Sequence, residues 1–300
     1  MGEILSADSR QVYSGMDIGT GKDLPVNSKL ETDNSKLGKQ GMGYYEVSGV
    51  KIWGYDLVSP NDEFSVSQYV LLAAKILRDV WERNKLPILV GGSGLYIKGL
   101  IDGIPSADVP KNFNLRKSYS GKSVEELFEV LCTLDPIKGA SLNISDKRNS
   151  RRLIRAIEIA DYKLRKGTAF VNRIKSKNLY NTLFVGLYAP KHFLDKRIEK
   201  RVHERLEMGF KKEIKGLLKR GVKFNFQSMD SMGYRHWMEV ISKKSTKSKA
   251  IADWIRDERR YAKRQMTWFK KDKRIFWFDI SRKDWQKSME ILVRKWYIKE

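Results

Sequence analysis

The stretch Pro87-Ile88-Leu89-Val90-Gly91-Gly92-Ser93-Gly94 is the most informative part of this sequence for its architecture. Its apolar half is typical of a short buried strand, and the glycines predict a tight turn into a helix over residues 95–100. Upstream, Ser65 begins a segment with helical periodicity, and Gln68 matches a capping box. Residues 3–7 form another short apolar run. Strand, helix, strand, glycine turn and helix together predict an α/β fold with a parallel sheet.

The rest of the chain is interpreted from its changes in composition. Residues 20–45 are rich in Gly, Lys and Asn and predict a long loop. Beyond the second strand, helical signals predominate, and the late apolar run over 274–279 predicts a further strand before a closing helix. Helices are also predicted near 192–209 and 250–269. We therefore expect a first core part (1–107), a helical insertion (108–167) and a second, mostly helical core part (168–300).

The charge balance points to a polyanionic partner. The 300 residues contain 59 Lys and Arg against 36 Asp and Glu, a net charge of +23. Such an excess favours nucleic acid or an anionic membrane, although a basic surface that serves only solubility is the alternative. One cysteine, Cys132, excludes an intramolecular disulfide framework. With no apolar run of membrane-spanning length and no secretory leader, we expect a cytoplasmic protein without a membrane partner. We also expect it to be a monomer.

Two polar features follow the predicted strands, where parallel sheets collect ligands. Asp8 comes directly after the first strand; it is either a helix N-cap or a proton acceptor for a bound substrate. The turn Gly91–Gly94 offers backbone N–H groups and the Ser93 hydroxyl to a phosphate, or is simply a tight turn. By contrast, Gly19-Thr20-Gly21-Lys22-Asp23 is not a P-loop, because Met16 and Asp23 stand where that motif needs Gly and Ser or Thr.

Three basic segments are candidates for contact with phosphates. On a helix, Arg151, Arg152 and Arg155 form a basic surface opposite apolar positions, and residues 147–177 hold 11 Lys or Arg against two acids. We favour nucleic-acid binding there. Arg197, Arg201 and Arg205 repeat every four residues, which suits either phosphate contact or a surface stripe paired with nearby glutamates. Residues 259–269 mix basic and aromatic side chains, as in RNA contacts or an amphipathic core helix.

Several stretches, in this order, resemble the tRNA dimethylallyltransferase family, and the match runs almost end to end. They are Ser6-Ala7-Asp8-Ser9-Arg10-Gln11-Val12-Tyr13, Gly15-Met16-Asp17-Ile18-Gly19-Thr20, Val90-Gly91-Gly92-Ser93-Gly94-Leu95-Tyr96, Arg151-Arg152-Leu153-Ile154-Arg155-Ala156-Ile157-Glu158, Gly233-Tyr234-Arg235 and Ala262-Lys263-Arg264-Gln265-Met266-Thr267-Trp268.

The resemblance implies a P-loop NTPase-like core with a helical insertion that grips the tRNA anticodon arm. It implies transfer of a dimethylallyl group from dimethylallyl diphosphate to the N6 amine of adenosine 37, with Mg²⁺ accompanying the diphosphate. Asp8 would accept the amine proton, Arg201 would neutralise the departing diphosphate, and Gly91, Gly92, Ser93 and Gly94 would lie near it. The tRNA contacts implied are Asp8, Ser9, Arg10, Gln11, Arg151, Arg152, Arg155, Gly233, Tyr234, Arg235, Lys263, Arg264 and Gln265.

The sequence departs from the family pattern in two places. The family has a P-loop upstream of the Asp-Ser segment, whereas here seven residues precede Asp8. We expect a truncated sequence or a misassigned start, and poor prenyl transfer by these 300 residues although tRNA still binds. The stretch from Lys22 to Asp56 is also longer than in the family and has Trp53-Gly54-Tyr55 where paired histidines are usual.

Two other functions remain alternatives at this point. An isopentenyltransferase acting on free adenine nucleotides would share the core but would not need the basic insertion. A tRNA-binding protein that has lost its donor site would explain the absent P-loop but not the retention of Asp8 and Arg201. A generic P-loop kinase is disfavoured because its Gly-Lys-Thr signature is missing.

Overall fold

The computed structural model describes residues 2–32, 42–104, 106, 109–166 and 180–298. The strands in these ranges are β1 (Gly2–Ser6), β2 (Glu31–Thr32), β3 (Gly43–Val47), β4 (Val50–Trp53), β5 (Leu86–Val90), β6 (Phe184–Tyr188) and β7 (Ile275–Asp279). The helices are α1 (Val66–Glu82), α2 (Gly94–Ile101), α3 (Phe113–Ser118), α4 (Val124–Leu134), α5 (Pro136–Ser141), α6 (Ile144–Lys147), α7 (Ser150–Lys166), α8 (Lys191–Glu207), α9 (Phe210–Lys219), α10 (Met232–Ile241), α11 (Lys247–Phe269) and α12 (Trp285–Ile298).

The chain divides into two compact units. The core unit comprises Met1–Leu100 and Tyr180–Glu300, and the helical unit comprises Ile101–Leu179. The described part of the predicted insertion, 109–166, lies in the helical unit. Among the described residues, no helix is long and apolar enough to cross a membrane.

The main sheet of the core unit has the order β2-β3-β4-β1-β5. β1 runs parallel to both neighbours, with Ile4 opposite Ile52 of β4 and Ile88 of β5. The predicted α/β fold with a parallel core is therefore confirmed. β3 is antiparallel to β4 and to β2, so the sheet is mixed. The prediction of a continuous loop over 20–45 is wrong, because β2 and the start of β3 lie inside it; residues 33–41 lie outside the described ranges.

Helix α1 covers one face of this sheet with the apolar stripe that its sequence predicted. Tyr69, Ala73, Ile76 and Val80 are all buried in the main core. The Ser65 hydroxyl accepts from the Gln68 N–H and the Gln68 side chain accepts from the Ser65 N–H, so the predicted capping box is present. The Tyr69 hydroxyl donates to the Ser6 carbonyl at 2.9 Å, which fixes the helix against the end of β1.

The second half of the core unit contains a small parallel sheet of β6 and β7, with Phe184 opposite Ile275. β7, α8, α11 and α12 match the predictions, whereas β6 was not predicted. β6 is five residues long with a central Gly186, and Phe184 pairs with Ile275, about 90 positions away. Short-range sequence patterns do not capture so distant a pairing. It precedes α8, which carries the predicted basic stripe.

The helical unit has its own core, formed where α4 packs against α7. Leu127, Leu131, Leu153 and Ile157 are fully buried there. Glu158 is buried beside them, and its carboxylate accepts hydrogen bonds from Arg116, from Arg155 and from the Asn112 N–H. The unit therefore combines an apolar core with one buried ionic cluster.

Candidate active site

The core unit contains a cavity of about 1140 Å³ at the carboxyl end of β1. The turn after β1 supplies Asp8 to Gln11, and a second loop supplies Gly19 to Gly21. The remaining walls come from α8, the first turn of α10 and α11. Eight basic side chains line these walls, and six carboxylates lie among them. The basic residues are Arg10, Arg197, Lys200, Arg201, Arg205, Arg235, Arg260 and Arg264, and the acidic ones are Asp8, Asp23, Glu204, Asp230, Asp257 and Glu258. The cavity is thus large, polar and suited to an anionic ligand.

Asp8 lies at the cavity wall in a hydrogen-bonded turn. Its Oδ1 accepts from the Arg10 N–H at 2.7 Å and from the Gln11 N–H at 3.4 Å. No helix begins after Asp8, so it caps a turn and not a helix as one interpretation of the sequence suggested. Burial raises the pKa of the Asp8 carboxyl, with a contribution from the charge of Glu258, against the lowering effect of the two N–H groups. The group is consequently a stronger proton acceptor than an exposed aspartate.

The glycine turn after β5 contacts β1 and α11 closely. The Ser9 N–H donates to the Ser93 hydroxyl at 2.9 Å, and a Cβ at Gly91 would lie 2.3 Å from the Ala7 carbonyl oxygen. A Cβ at Gly92 would meet the Gln265 amide at 1.8 Å, and that amide donates to the Gly92 carbonyl. Gly91–Gly94, all described, are not among the residues that line the large cavity. These glycines serve close packing in this structure.

Arg201 and Arg205 lie one helical turn apart on α8, and both guanidiniums contact Glu258 of α11. Arg201 is half-exposed, whereas the side chain of Arg205 is only 8% exposed. The Glu258 carboxylate also accepts from the Trp254 indole at 3.2 Å. Arg201 was predicted to bind the diphosphate from the family resemblance, whereas Arg205 was predicted only as a member of the basic repeat on this helix. Sequence reasoning missed Glu258. Its signal was a carboxylate at the start of the basic run over 259–269.

Glu213 of α9 is a second glutamate that sequence reasoning missed. It holds the loop over residues 17–19, which leads into the cavity wall. Its carboxylate accepts from the N–H groups of Asp17, Ile18 and Gly19 at 2.7–3.1 Å. The Tyr234 hydroxyl donates to the same carboxylate. Tyr234 is completely buried, so its side chain supports this loop from inside the core. Burial raises the pKa of that phenol, which therefore stays protonated.

Most other residues of the core unit with predicted tRNA contacts line the cavity. Arg10 donates to the Gln227 carbonyl at 2.9 Å, and Arg235 pairs with Asp257 at 2.6 Å. Gln11 donates to the Gly21 carbonyl at 2.8 Å. Arg264 lines the cavity, while Lys263 is exposed outside its lining. Gly233, in the first turn of α10, lines the cavity and lets the Trp254 ring approach.

Lys22 has no part in the cavity lining. Its side chain is completely buried, and its ammonium donates to the Tyr13 carbonyl and pairs with Asp17 and Asp56. A lysine held in this way is not available to a phosphate. The geometry therefore agrees with the sequence argument that this loop is not a P-loop.

The three arginines of α7 differ in their surroundings. Arg151 is exposed and makes no ion pair with the described residues. Arg152 pairs with Asp146. Arg155 donates to the carbonyls of Ser106 and Val109 at 2.9 and 2.8 Å and pairs with Glu158, so it ties the helical unit together. Residues 167–177, which contribute to the predicted basic stretch, lie outside the described ranges.

Comparisons with known proteins agree over nearly the whole chain. The sequence model of the IPP transferase family matches residues 11–272. A tRNA dimethylallyltransferase from Anoxybacillus flavithermus is 33% identical, covering 93% of this chain and 83% of that protein. Another from Carboxydothermus hydrogenoformans is 33% identical, covering 97% and 88%.

Solved structures show the same similarity. The tRNA isopentenylpyrophosphate transferase of Bacillus halodurans superposes with a TM-score of 0.66 at 32% identity, covering 99% of this chain and 89% of that one. A eukaryotic dimethylallyltransferase acting on tRNA has a TM-score of 0.78 at 22% identity, covering 99% and 73%, which supports the fold alone.

Proposed function

Because this chain belongs to the IPP transferase family, we propose that it transfers a dimethylallyl group from dimethylallyl diphosphate to the N6 amine of adenosine 37 in tRNA. The observation that carries this proposal is that Asp8 and Arg201 line one basic cavity of about 1140 Å³. A proton acceptor and a fixed cation on the walls of one cavity are what a substitution with an anionic leaving group requires.

The reaction uses these groups in a simple order. The adenine leaves its stack and presents its exocyclic amine in the cavity. The amine nitrogen bonds to C1 of the dimethylallyl group while the bond from C1 to the diphosphate oxygen breaks. Asp8 accepts the proton that the amine loses, and its raised pKa favours that transfer. Arg201 neutralises the charge that develops on the diphosphate.

The tRNA partner is supported by the charge distribution of both units. The core unit presents Arg10, Arg260 and Arg264 around the cavity. The helical unit presents the exposed Arg151. We propose that the helical unit binds the anticodon arm through such residues, since backbone phosphates supply most of the affinity in nucleic-acid complexes. We further propose that the protein acts as a monomer.

Mg²⁺ is the metal expected with a diphosphate. The described residues contain no group of three or more His, Cys, Asp or Glu that could hold a metal ion. Mg²⁺ usually binds through substrate phosphates and water together with one or two protein carboxylates. We therefore propose that the ion would be bound by the diphosphate itself.

The experiment that tests this function is a transfer assay with purified protein, labelled dimethylallyl diphosphate and Mg²⁺. Parallel reactions contain unmodified tRNA or AMP, and the nucleosides are identified by mass spectrometry after digestion. Label in N6-dimethylallyladenosine from tRNA, even at a low rate, supports the proposal. Label in AMP alone indicates the free-nucleotide enzyme, and tRNA binding without any transfer indicates a binding protein that lacks a donor site.

A further inference from the structure

Arg205 is a buried cation in the cavity wall that the proposed reaction does not yet use. It lies on α8, one turn after Arg201, and its side chain is 8% exposed. A buried guanidinium requires hydrogen-bond acceptors for its donors, because arginine keeps its charge at any relevant pH. Burial and the nearby Arg201 both lower the pKa of Arg205, so its cation is under-compensated.

The acceptors around Arg205 are few and distant. Its Nη1 lies 3.4 Å from the Gly19 carbonyl and 3.4 Å from Glu258. Good charge-assisted contacts measure about 2.7–2.9 Å. The Arg205 Nε is buried and has no hydrogen-bond partner among the described residues. Arg205 thus lines the cavity with donor capacity that the described residues leave unused.

The position of this guanidinium is fixed by the neighbouring loop. Gly21 has a φ of +65°, and a Cβ there would lie 2.1 Å from Arg205 Nη2. Glycine is therefore required both by the backbone conformation and by the approach of the arginine. Because the loop is itself held by Glu213, Arg205 is oriented before any ligand enters.

The local charge balance also favours an anion with two charged groups. Arg201 and Arg205 share one carboxylate in direct contact, that of Glu258 at 3.2 and 3.4 Å, while the charge of Asp23 acts on Arg205 without an ion-pair contact. The two residues are about 6 Å apart along the helix. Because both guanidiniums reach the same carboxylate, they can also contact the two phosphoryl groups of one diphosphate.

We propose that Arg205 is a second diphosphate-binding residue of the donor site, acting beside Arg201. This inference rests on the proposed function, since it names the part of the donor that Arg205 contacts. The competing explanation is structural: Arg205 and Glu258 would only tie α8 to α11. Arg259 provides a matched comparison, because it joins the same helices by ion pairs with Asp195 and Glu199 but does not line the cavity.

The test is calorimetric titration of the full chain with inorganic diphosphate and with orthophosphate in magnesium buffer. Arg205→Gln and Arg205→Met are compared with Arg259→Gln and Arg259→Met. Loss of a charged hydrogen-bonding partner should weaken diphosphate binding by about tenfold or more in the Arg205 variants. Because orthophosphate has one phosphoryl group, the Arg205 variants should lose less affinity for it than for diphosphate. The Arg259 variants should bind both anions as the unaltered protein does.

Equal diphosphate affinity in the Arg205 and Arg259 variants, or an equal loss for both anions, would overturn the proposal. So would a failure of the unaltered protein to bind diphosphate. Arg205→Gln retains a polar amide in the cavity wall, so it serves if the methionine variant does not fold. The transfer assay separates the proposed function from the role of Arg205. Absence of prenylated tRNA even in long single-turnover reactions counts against the proposed function, whereas normal diphosphate binding by Arg205→Gln counts only against the role of Arg205.

Discussion

The backbone N–H of Ser9 donates a hydrogen bond to the side-chain hydroxyl of Ser93 at 2.9 Å. The bond joins the turn that presents Asp8 to the glycine turn after β5. Ser93→Ala should lower the free energy of unfolding by about 1 kcal/mol. It should also slow prenyl transfer, because Asp8 loses part of its support, while diphosphate affinity stays unchanged. Urea unfolding, turnover and diphosphate titration measure the three quantities.

The same experiment discriminates between two roles for Ser93. The family resemblance implies a hydroxyl near the diphosphate, whereas the structure uses this hydroxyl to hold Ser9. Reduced diphosphate affinity with unchanged stability would contradict the positioning role. Ser118→Ala is a suitable control, since the Ser118 hydroxyl only donates to a carbonyl of its own helix, far along the sequence from Asp8.

Asp8→Asn should abolish most prenyl transfer while leaving the turn intact. The asparagine oxygen can still accept the Arg10 N–H, but an amide cannot accept the amine proton. Removing a general base typically lowers the rate by about 10²–10⁴. Single-turnover rates and tRNA affinity are measured together. Near-normal turnover in this variant would exclude Asp8 as the base, and loss of tRNA binding would point to a role in recognition.

The pH dependence of transfer should report the environment of Asp8. Its pKa is raised by burial and by the negative charge of Glu258, so the base becomes protonated at a higher pH than an exposed aspartate, about 3.9. The rate should fall with decreasing pH through that raised value. Glu258→Gln should move the acidic limb to lower pH because one raising influence is removed. An acidic limb at the same pH in Glu258→Gln and in the unaltered protein would show that Glu258 does not affect the titrating group.

Arg151 and Arg155 should respond differently although both lie on one helix. Arg151→Ala should weaken tRNA binding and reduce the slope of log affinity against log salt by about 0.7 for a single-strand-type contact. Arg155→Ala should chiefly destabilise the helical unit, because Arg155 bonds Ser106, Val109 and the buried Glu158. Filter binding at several salt concentrations and thermal unfolding separate the two effects. Identical salt slopes and melting temperatures in both variants would contradict this division.

The sequence could predict elements whose signals are local. The capping box at Ser65 and the apolar stripe of α1 depend on residues within one helix, and both are confirmed. β3 and its hairpin with β4 were missed. β3 begins within a stretch rich in Gly and Lys, and its stability depends on pairing with β4. The same limit applied to β6, whose partner is distant in the sequence.

The residues of the cavity also differ in whether the sequence could reveal them. Asp8 and Arg201 were found because they lie in recognisable segments. The partners of Asp8 are its neighbours Arg10 and Gln11, but Glu258, which pairs with Arg201, is remote in the sequence. Glu258 and Glu213 reach the site only through the packing of α11 and α9, which no spacing rule reveals. Tyr234 illustrates the opposite case: it belongs to a matching segment, yet its complete burial gives it a supporting role.

Glu3 should make the folded protein sensitive to acid. It lies in β1, the strand that leads to Asp8, and its side chain is 2% exposed. Burial alone raises the pKa of this carboxyl, but hydrogen bonds from Arg83, Lys85 and Trp53 outweigh it and lower the pKa from 4.5 to about 2. The folded state therefore holds the ionised carboxylate more tightly than the unfolded state does.

The sign of the effect follows from that difference. A carboxyl with a depressed pKa contributes stability above its unfolded pKa of 4.5, and the contribution is lost as the pH falls through about 2. At neutral pH this contribution amounts to about 3 kcal/mol, and solvent around Arg83 and Lys85 reduces it somewhat.

Glu3→Gln should lower the free energy of unfolding by a comparable amount at pH 7. The gap between the two proteins should narrow as the pH falls from 4.5 towards 2. Urea unfolding at a series of pH values gives this difference directly, and general charge repulsion in acid affects both proteins alike. Glu290→Gln, which removes an exposed partner of Arg294, should change little at any pH. A constant gap between Glu3→Gln and the unaltered protein across this range would show that the Glu3 cluster is not the acid-sensitive element of β1.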